Sequence, residues 1–289
     1  QRRHLAAGPL LRRVANADPV PLPDPRSDRP PQWVIEHAAS LVSGGADLLD
    51  VGGQTASPAV PEIGVDEELE RVIPVIEALA EALPHVPLSV DSYRVEVAEA
   101  ALRAGASVLN NIIGAQHVAF ATLAVRYGAA HVITHNPGAP KTKLLENERY
   151  DDVVTDVGDY FRLQLAELSQ VAGAVDATIV DPGVDLAKTP AQSLELLRRA
   201  EEFDELGVPV LMAISRKDVI GVMTQSPPDE RLAGTLAALG HLRRGGRRIF
   251  RLHDVAEARR YLMVTRHLDG FESLAPDARL AAELRRRRA

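Results

Sequence analysis

No cysteine occurs anywhere in the 289 residues. That absence excludes a disulfide framework, a thiolate metal site and a cysteine nucleophile, and it fits a reducing cytoplasm. Long apolar runs are missing too. No stretch approaches the roughly 20 residues that a membrane helix requires, and the basic residues 1–17 lack the apolar centre of a signal peptide. The expectation is a soluble, cytoplasmic chain with no membrane partner. Basic charge is in the minority, with 33 Lys and Arg against 40 Asp and Glu for a net charge of -7. No single element gathers a basic face, which argues against nucleic acid as a partner. The one basic run, Arg285 to Arg288, reads as a frayed, solvated helix end.

What is present is a repeated grammar. Hydrophobic residues make up 46% of the chain, ample for one large core, and no linker or composition shift divides residues 1–289 into separate domains. Short apolar or β-branched runs at residues 10–15, 47–51, 88–90, 107–109, 131–134, 178–180, 208–214 and 248–252 read as strands. Between them lie amphipathic stretches at 33–42, 67–82, 95–104, 119–127, 153–170, 191–203, 230–242 and 255–267. In the second of these and the residue just after it, Leu69, Val72, Ile73, Ile76, Leu79 and Leu83 share one face. Strands alternating with helices over this length predict an α/β fold, a (β/α)8 TIM barrel. A doubly wound open sheet is the runner-up, because alternation alone does not show closure. Residues 18–31 break the grammar: their prolines forbid helix and discourage a central strand, so a stiff loop is expected there.

In such a barrel the chemistry belongs to the C-terminal ends of the strands. The residues just after the apolar runs are Asn16, Asp50, Asp91, Asn110, His135, Asp181, Lys217, Arg251 and His253. Any one Asp or Asn among them has a competing use as a helix cap. Asp50, followed by Gly52 and Gly53 in a tight turn, reads best as structural. Lys217, within Ser215-Arg216-Lys217 after a strongly apolar run, has no capping task and reads as functional. Together, carboxylates and amides suit the donor and acceptor edge of a planar, nitrogen-rich ring. Arg251 and His253, on alternate residues, project to one side, and Arg suits the oxygens of a phosphate. His131, among the lone histidines, receives no role, and His135 stays open between loop support and ligand contact.

Several stretches together resemble dihydropteroate synthases: DVGGQTASPA from Asp50, LSVDSYRVEVAEAALRAGASVLNNIIG from Leu88, HNPGAPKT from His135, IVDPGVDLAKT from Ile179, MAISRKDVIG from Met212, RLAGTLAALG from Arg231 and FRLHDV from Phe250. The likeness runs from about Val14 to about Arg266. It implies a transferase of folate biosynthesis that joins 6-hydroxymethyl-7,8-dihydropterin pyrophosphate to p-aminobenzoate with Mg2+. On that resemblance Asp91, Asn110, Asp181 and Lys217 would bind the pterin ring, and Arg251 with His253 the pyrophosphate. Asn16 would be the protein's ligand to Mg2+, and Lys217 and Arg251 the catalytic cations. Catalysis would come from stabilising the leaving anion and the developing cation. The family also implies a homodimer.

The departures from the family's pattern concentrate in two loops. Where the first usually reads Asn-x-Thr-Pro-Asp-Ser-Phe-Ser-Asp, this chain has Asn16, Ala17, Asp18, Pro19, Val20, Pro21, Leu22, Pro23 and Asp24. Where the second reads Glu-Ser-Thr-Arg-Pro, it has Gln54, Thr55, Ala56, Ser57 and Pro58. The usual Gly-Phe-Gly-Lys is Asp185, Leu186, Ala187 and Lys188, and the usual Asn-Asp pair is Asn110-Asn111. Beside an active synthase, three other functions therefore stand as alternatives. They are a pterin-binding paralogue without synthase activity, an enzyme using a related pterin or another acceptor, and a methyltetrahydrofolate–corrinoid methyltransferase.

Overall fold

The structure is a computed structural model, described here for residues 19–20, 31–54, 60–138, 150–281 and 284–285. Its strands are β1 (Pro19–Val20), β2 (Leu49–Gly52), β3 (Leu88–Asp91), β4 (Val108–Asn111), β5 (Ala130–Thr134), β6 (Thr178–Asp181), β7 (Val210–Ala213) and β8 (Arg248–Arg251). They form one sheet in sequence order, every described pair parallel. The helices are α1 (Pro31–Gly44), α2 (Val65–Ala82), α3 (Val95–Ala104), α4 (His117–Tyr127), α5 (Val153–Leu168), α6 (Pro190–Arg198), α7 (Asp218–Thr224), α8 (Leu232–Leu242) and α9 (Val255–Leu268). This α/β fold answers the alternation read from the sequence.

Local sequence explains the elements. In α2 the buried Val72, Val75, Ile76 and Leu79 recur at helical spacing, and Asp66, Glu67 and Glu68 place negative charge in the first turn, where the helix dipole favours it. A capping box between Thr189 and Gln192, with Pro190 beside it, starts α6. Along each strand successive side chains face opposite ways. One face presents Leu48, Val108, Ala130, Val132, Ile179, Leu211 and Ile249, which pack on one another. The other supplies Leu49, Val51, Val90, Leu109, Ile133, Val180, Val210 and Phe250 to two larger clusters shared with the helices. Helix α9 packs against α1, and the sheet curls far enough for Arg251 at the end of β8 to touch Asp50 on β2.

Two sequence readings need correction, and a third falls outside the described residues. The predicted strand at 10–15 lies outside the described residues, whereas the expected loop at 18–31 contributes β1 and the first residue of α1. Both uses suit proline: β1 has β2 as its described partner, so the missing N–H at Pro19 breaks no ladder between two strands, and Pro31 starts a helix where the N–H would be unpaired anyway. The helix expected over 191–203 stops at Arg198 and continues as a 3-10 turn, Ala200–Leu206. Arg199 there leaves helical geometry while its guanidinium pairs with Asp152 and Glu202. Helix α7, unforeseen, fills the connection after Lys217.

Candidate functional site

The C-terminal ends of the strands gather Asp50, Asp91, Asn110 and Arg251 on the inner face, with Asp181 and Lys217 beside them. Register fixes their depth: Gly52 lies opposite Asp91 and Asp91 opposite Asn110, while Asp50 lies opposite Ser89, two residues deeper. Asn110 donates from Nδ2 to Asp50 Oδ2 at 3.1 Å. Arg251 reaches across from β8, donating from Nε to Asp50 Oδ2 at 2.9 Å and from Nη2 to Asp91 Oδ2 at 3.2 Å. Asp181 accepts the Gly183 N–H at 2.8 Å, and Lys217 Nζ donates to the Val184 carbonyl at 2.9 Å.

Such a gathering of charge in a buried cup perturbs Asp91, Asp181, Lys217 and Arg251. Burial, then the neighbouring Asp50 carboxylate, pushes Asp91 up to about 7, against the pull of Arg251. Burial also raises Asp181, opposed by the Gly183 N–H and the Lys217 ammonium. Lys217 is lowered by burial, with Asp185 and Asp181 opposing. For Arg251 burial works against the charge, but Asp50 and Asp91 outweigh it and hold the guanidinium above its ordinary value. His253 sits more openly at the mouth. Partial desolvation, then the Arg251 and Arg216 cations, lower its pKa. Ser215 Oγ lies 2.8 Å from His253 Nδ1 and accepts the His253 backbone N–H at 3.0 Å. In the tautomer where the hydroxyl donates to Nδ1, Nε2 of the neutral ring is the N–H donor.

A profile of the pterin binding enzyme family matches residues 23–253. The chain belongs to that family. It is 36% identical over 223 residues to the dihydropteroate synthase of Escherichia coli (strain K12), covering 77% of this chain and 78% of that protein. It is 38% identical over 234 residues to the inactive dihydropteroate synthase 2 of Mycobacterium bovis (strain ATCC BAA-935 / AF2122/97), covering 79% and 73%. Among solved structures, the dihydropteroate synthase of Thermus thermophilus in complex with 4-aminobenzoate superposes with a TM-score of 0.76 at 35% identity, over 89% of this chain and 95% of that one.

For a member of the pterin-binding family, the departures at the site differ in consequence. Asp185 and Ala187, where the usual pattern has glycine, keep left-handed backbone with φ of 61° and 48°. Left-handed backbone, which glycine adopts freely, is held here by residues that pay for it in strain. Asp185 Oδ2 accepts the Val219 N–H at 3.3 Å in the first turn of α7. Asn111 faces away from the cup, donating to the Ala115 carbonyl at 2.6 Å and accepting the Ile113 N–H at 3.3 Å. An Asp there could not make the first bond, so this change serves the β4–α4 turn. Gln54 donates from Nε2 to Glu68 Oε2 and to the Tyr93 hydroxyl, each at 3.2 Å, bonds that the usual Glu could not donate. Asn16 and residues 55–58 lie outside the described residues, as does most of the first loop.

Asp91, Asn110, Asp181, Lys217 and Arg251 thus converge, with His253 at the rim. His135 is resolved in favour of loop support: it is buried, its ring edge meets Tyr160 at a 4.9 Å centroid distance, and its carbonyl accepts Lys188 Nζ at 3.0 Å. Burial, then Lys188, holds its pKa at about 3. Two participants were missed. Asp50 is no turn or cap but the deepest member of the network, and its alternation with Leu49 and Val51 was a signal for the inner face. Ser215 was visible only as part of a motif. A groove of about 1230 Å³ opens at the opposite end of the strands, lined by Arg243, Arg244, Arg247 and Arg248 among others. Among the described residues, none of the predicted site residues lines it, and Arg243 and Arg248 are paired with Asp269 and Asp204, so it is not this site.

Proposed function

We propose that the protein is a dihydropteroate-synthase-like transferase that binds 6-hydroxymethyl-7,8-dihydropterin pyrophosphate in the cup and joins its pterin methylene to p-aminobenzoate. The observation that carries this reading is the convergence of Asp91, Asn110, Asp181 and Lys217 beneath a rim bearing Arg251 and His253. The carboxylates and Asn110 accept from and donate to the ring edge, and their negative charge faces the carbon on which positive charge develops as the carbon–oxygen bond breaks. Lys217, Arg251 and the Nε2–H of His253 receive the charge of the departing pyrophosphate. The amine of the acceptor then bonds to that carbon and gives its proton to solvent. The relatives support the acceptor class, since the Thermus protein binds 4-aminobenzoate.

Among the described residues no three His, Asp or Glu side chains form a metal cage. Asn16, outside the described residues, would be the protein's ligand to Mg2+, a hard ion that rarely takes a full protein cage and would leave the rest of its shell to substrate and water oxygens. The chemistry supplied by bound Mg2+ is neutralisation of the leaving pyrophosphate. The reading includes closure of the sheet between β8 and β1 into a full barrel, a cytoplasmic location and a homodimer. Among the described residues no helix is long and apolar enough to cross a membrane.

A second reading, a pterin-binding paralogue without synthase activity, is favoured by the altered first and second loops and by the likeness to the inactive M. bovis protein. One experiment separates them: calorimetric titration with the dihydropterin pyrophosphate, with and without Mg2+, followed by p-aminobenzoate in the same cell. The expected result is Mg2+-dependent binding and then the heat of turnover. Binding without turnover establishes the paralogue, and no binding removes the pocket assignment altogether.

A further inference from the structure

Asp50 is completely buried, and its surroundings differ from those of a ligand-facing carboxylate. It sits two residues below the Asp91 layer, its Oδ2 is shared by Asn110 and Arg251, and its Oδ1 has no hydrogen-bond partner among the described residues. Arg251 spans both layers, with Nε on Asp50 and Nη2 on Asp91. Since guanidinium carries five N–H donors in a rigid plane, fixing Nε from below fixes the direction in which the remaining donors face. Deprived of that anchor, Arg251 would turn its charge wholly onto Asp91, the carboxylate the ring requires.

We propose that Asp50 is a positioning residue of the pterin site, acting through Arg251: it holds the guanidinium from beneath, and so keeps Asp91 available to the ring and Arg251 directed at the mouth. The inference rests on the assignment of Asp91 to the ring and Arg251 to the anion. The charges facing Asp91 are Asp50 from β2, Glu68 from α2 and Asp181 from β6, all of which raise its pKa, and Arg251 from β8, which lowers it. Removing the Asp50 charge therefore moves Asp91 downward, and a tighter Arg251–Asp91 pair moves it further the same way.

The test is calorimetric binding of 6-hydroxymethyl-7,8-dihydropterin to the full chain between pH 5.5 and pH 8.5, in the wild type, Asp50→Asn, Arg251→Gln and the double variant. Asparagine keeps an acceptor for Asn110 and removes only the charge. In the wild type, affinity weakens as pH falls through about 7. Asp50→Asn is expected to lose about tenfold in affinity at pH 8, with the midpoint of its pH profile at least one unit lower. In the Arg251→Gln background the same change is expected to cost less than about threefold, because the residue through which it acts is gone. The double variant removes one charge of each sign and so leaves the net charge of the cup as in the wild type, which keeps the comparison open if Asp50→Asn folds poorly by thermal unfolding. Pterin binding with an unmoved profile in Asp50→Asn, or an equal loss in both backgrounds, overturns the inference alone. A wild type that binds no pterin overturns the site assignment and the inference with it.

Discussion

Arg251 holds two carboxylates with one guanidinium, and the physical cost of losing it depends on pH. At high pH both Asp50 and Asp91 are charged, and removing their shared cation leaves two like charges in a buried cup. As pH falls, Asp91 takes up a proton, the more readily because Arg251 no longer lowers its pKa. Arg251→Met is therefore expected to destabilise by about 3 kcal/mol at pH 8.5 and by distinctly less at pH 6, measured by urea unfolding at the two values. Glu68 and Arg94 form a second buried pair at 2.5 Å, with Glu68 completely shielded and Gln54 as its other partner. Arg94→Met strands that carboxylate and is expected to cost about 3–5 kcal/mol, whereas adding Glu68→Leu restores part of the loss. A double-mutant cycle by denaturant unfolding reads both numbers. The sequence named Arg251 from its place after an apolar run, but nothing in it told that the partner would be Asp50, 201 residues away in the chain.

The connection from β6 to α6 shows how an element's ends carry the site. Gly183 has φ of 71°, and a Cβ there would lie 2.1 Å from the His135 carbonyl oxygen. That close approach lets the Gly183 N–H turn back to Asp181 and lets Lys188 donate to the His135, Gly183 and Leu186 carbonyls at 3.0 to 3.1 Å. Farther along, Ala187 keeps a left-handed φ without the relief that glycine brings. Ala187→Gly is expected to raise stability by about 1 kcal/mol, seen as a higher midpoint in thermal unfolding, with pterin affinity unchanged. Strand and helix positions were legible for most elements, because apolar period reports which face is buried. The break of the predicted 191–203 helix at Arg199 was not, because it follows from a reach to Asp152 on another element.

Across the whole molecule, acid should unfold the protein through groups buried without charge. His131 is fully enclosed, and burial lowers its pKa from 6.5 to about 4. Above pH 6.5 it is neutral in both folded and unfolded chains. Between 6.5 and 4 the unfolded chain binds the proton first, so stability falls with pH, by about 3 kcal/mol for this one residue. His131→Leu is expected to flatten that part of the profile when unfolding free energy is followed from pH 7.5 to pH 4. A steep profile in the variant would mean that His135, with its pKa of about 3, and other buried groups dominate. By itself the sequence determined the alternation of elements, which faces are apolar, and which polar residues stand at the strand ends, because periodicity and position after a strand are local properties. Only the tertiary structure decided which of those residues meet, that Asp50 lies beneath Asp91 rather than in a turn, that Asn111 faces away, and that arginines scattered over the α8–β8 turn, β8 and α9 line one groove far from the cup. Those outcomes depend on register and on the curl of the sheet, and both are set by packing between segments that never adjoin in the chain.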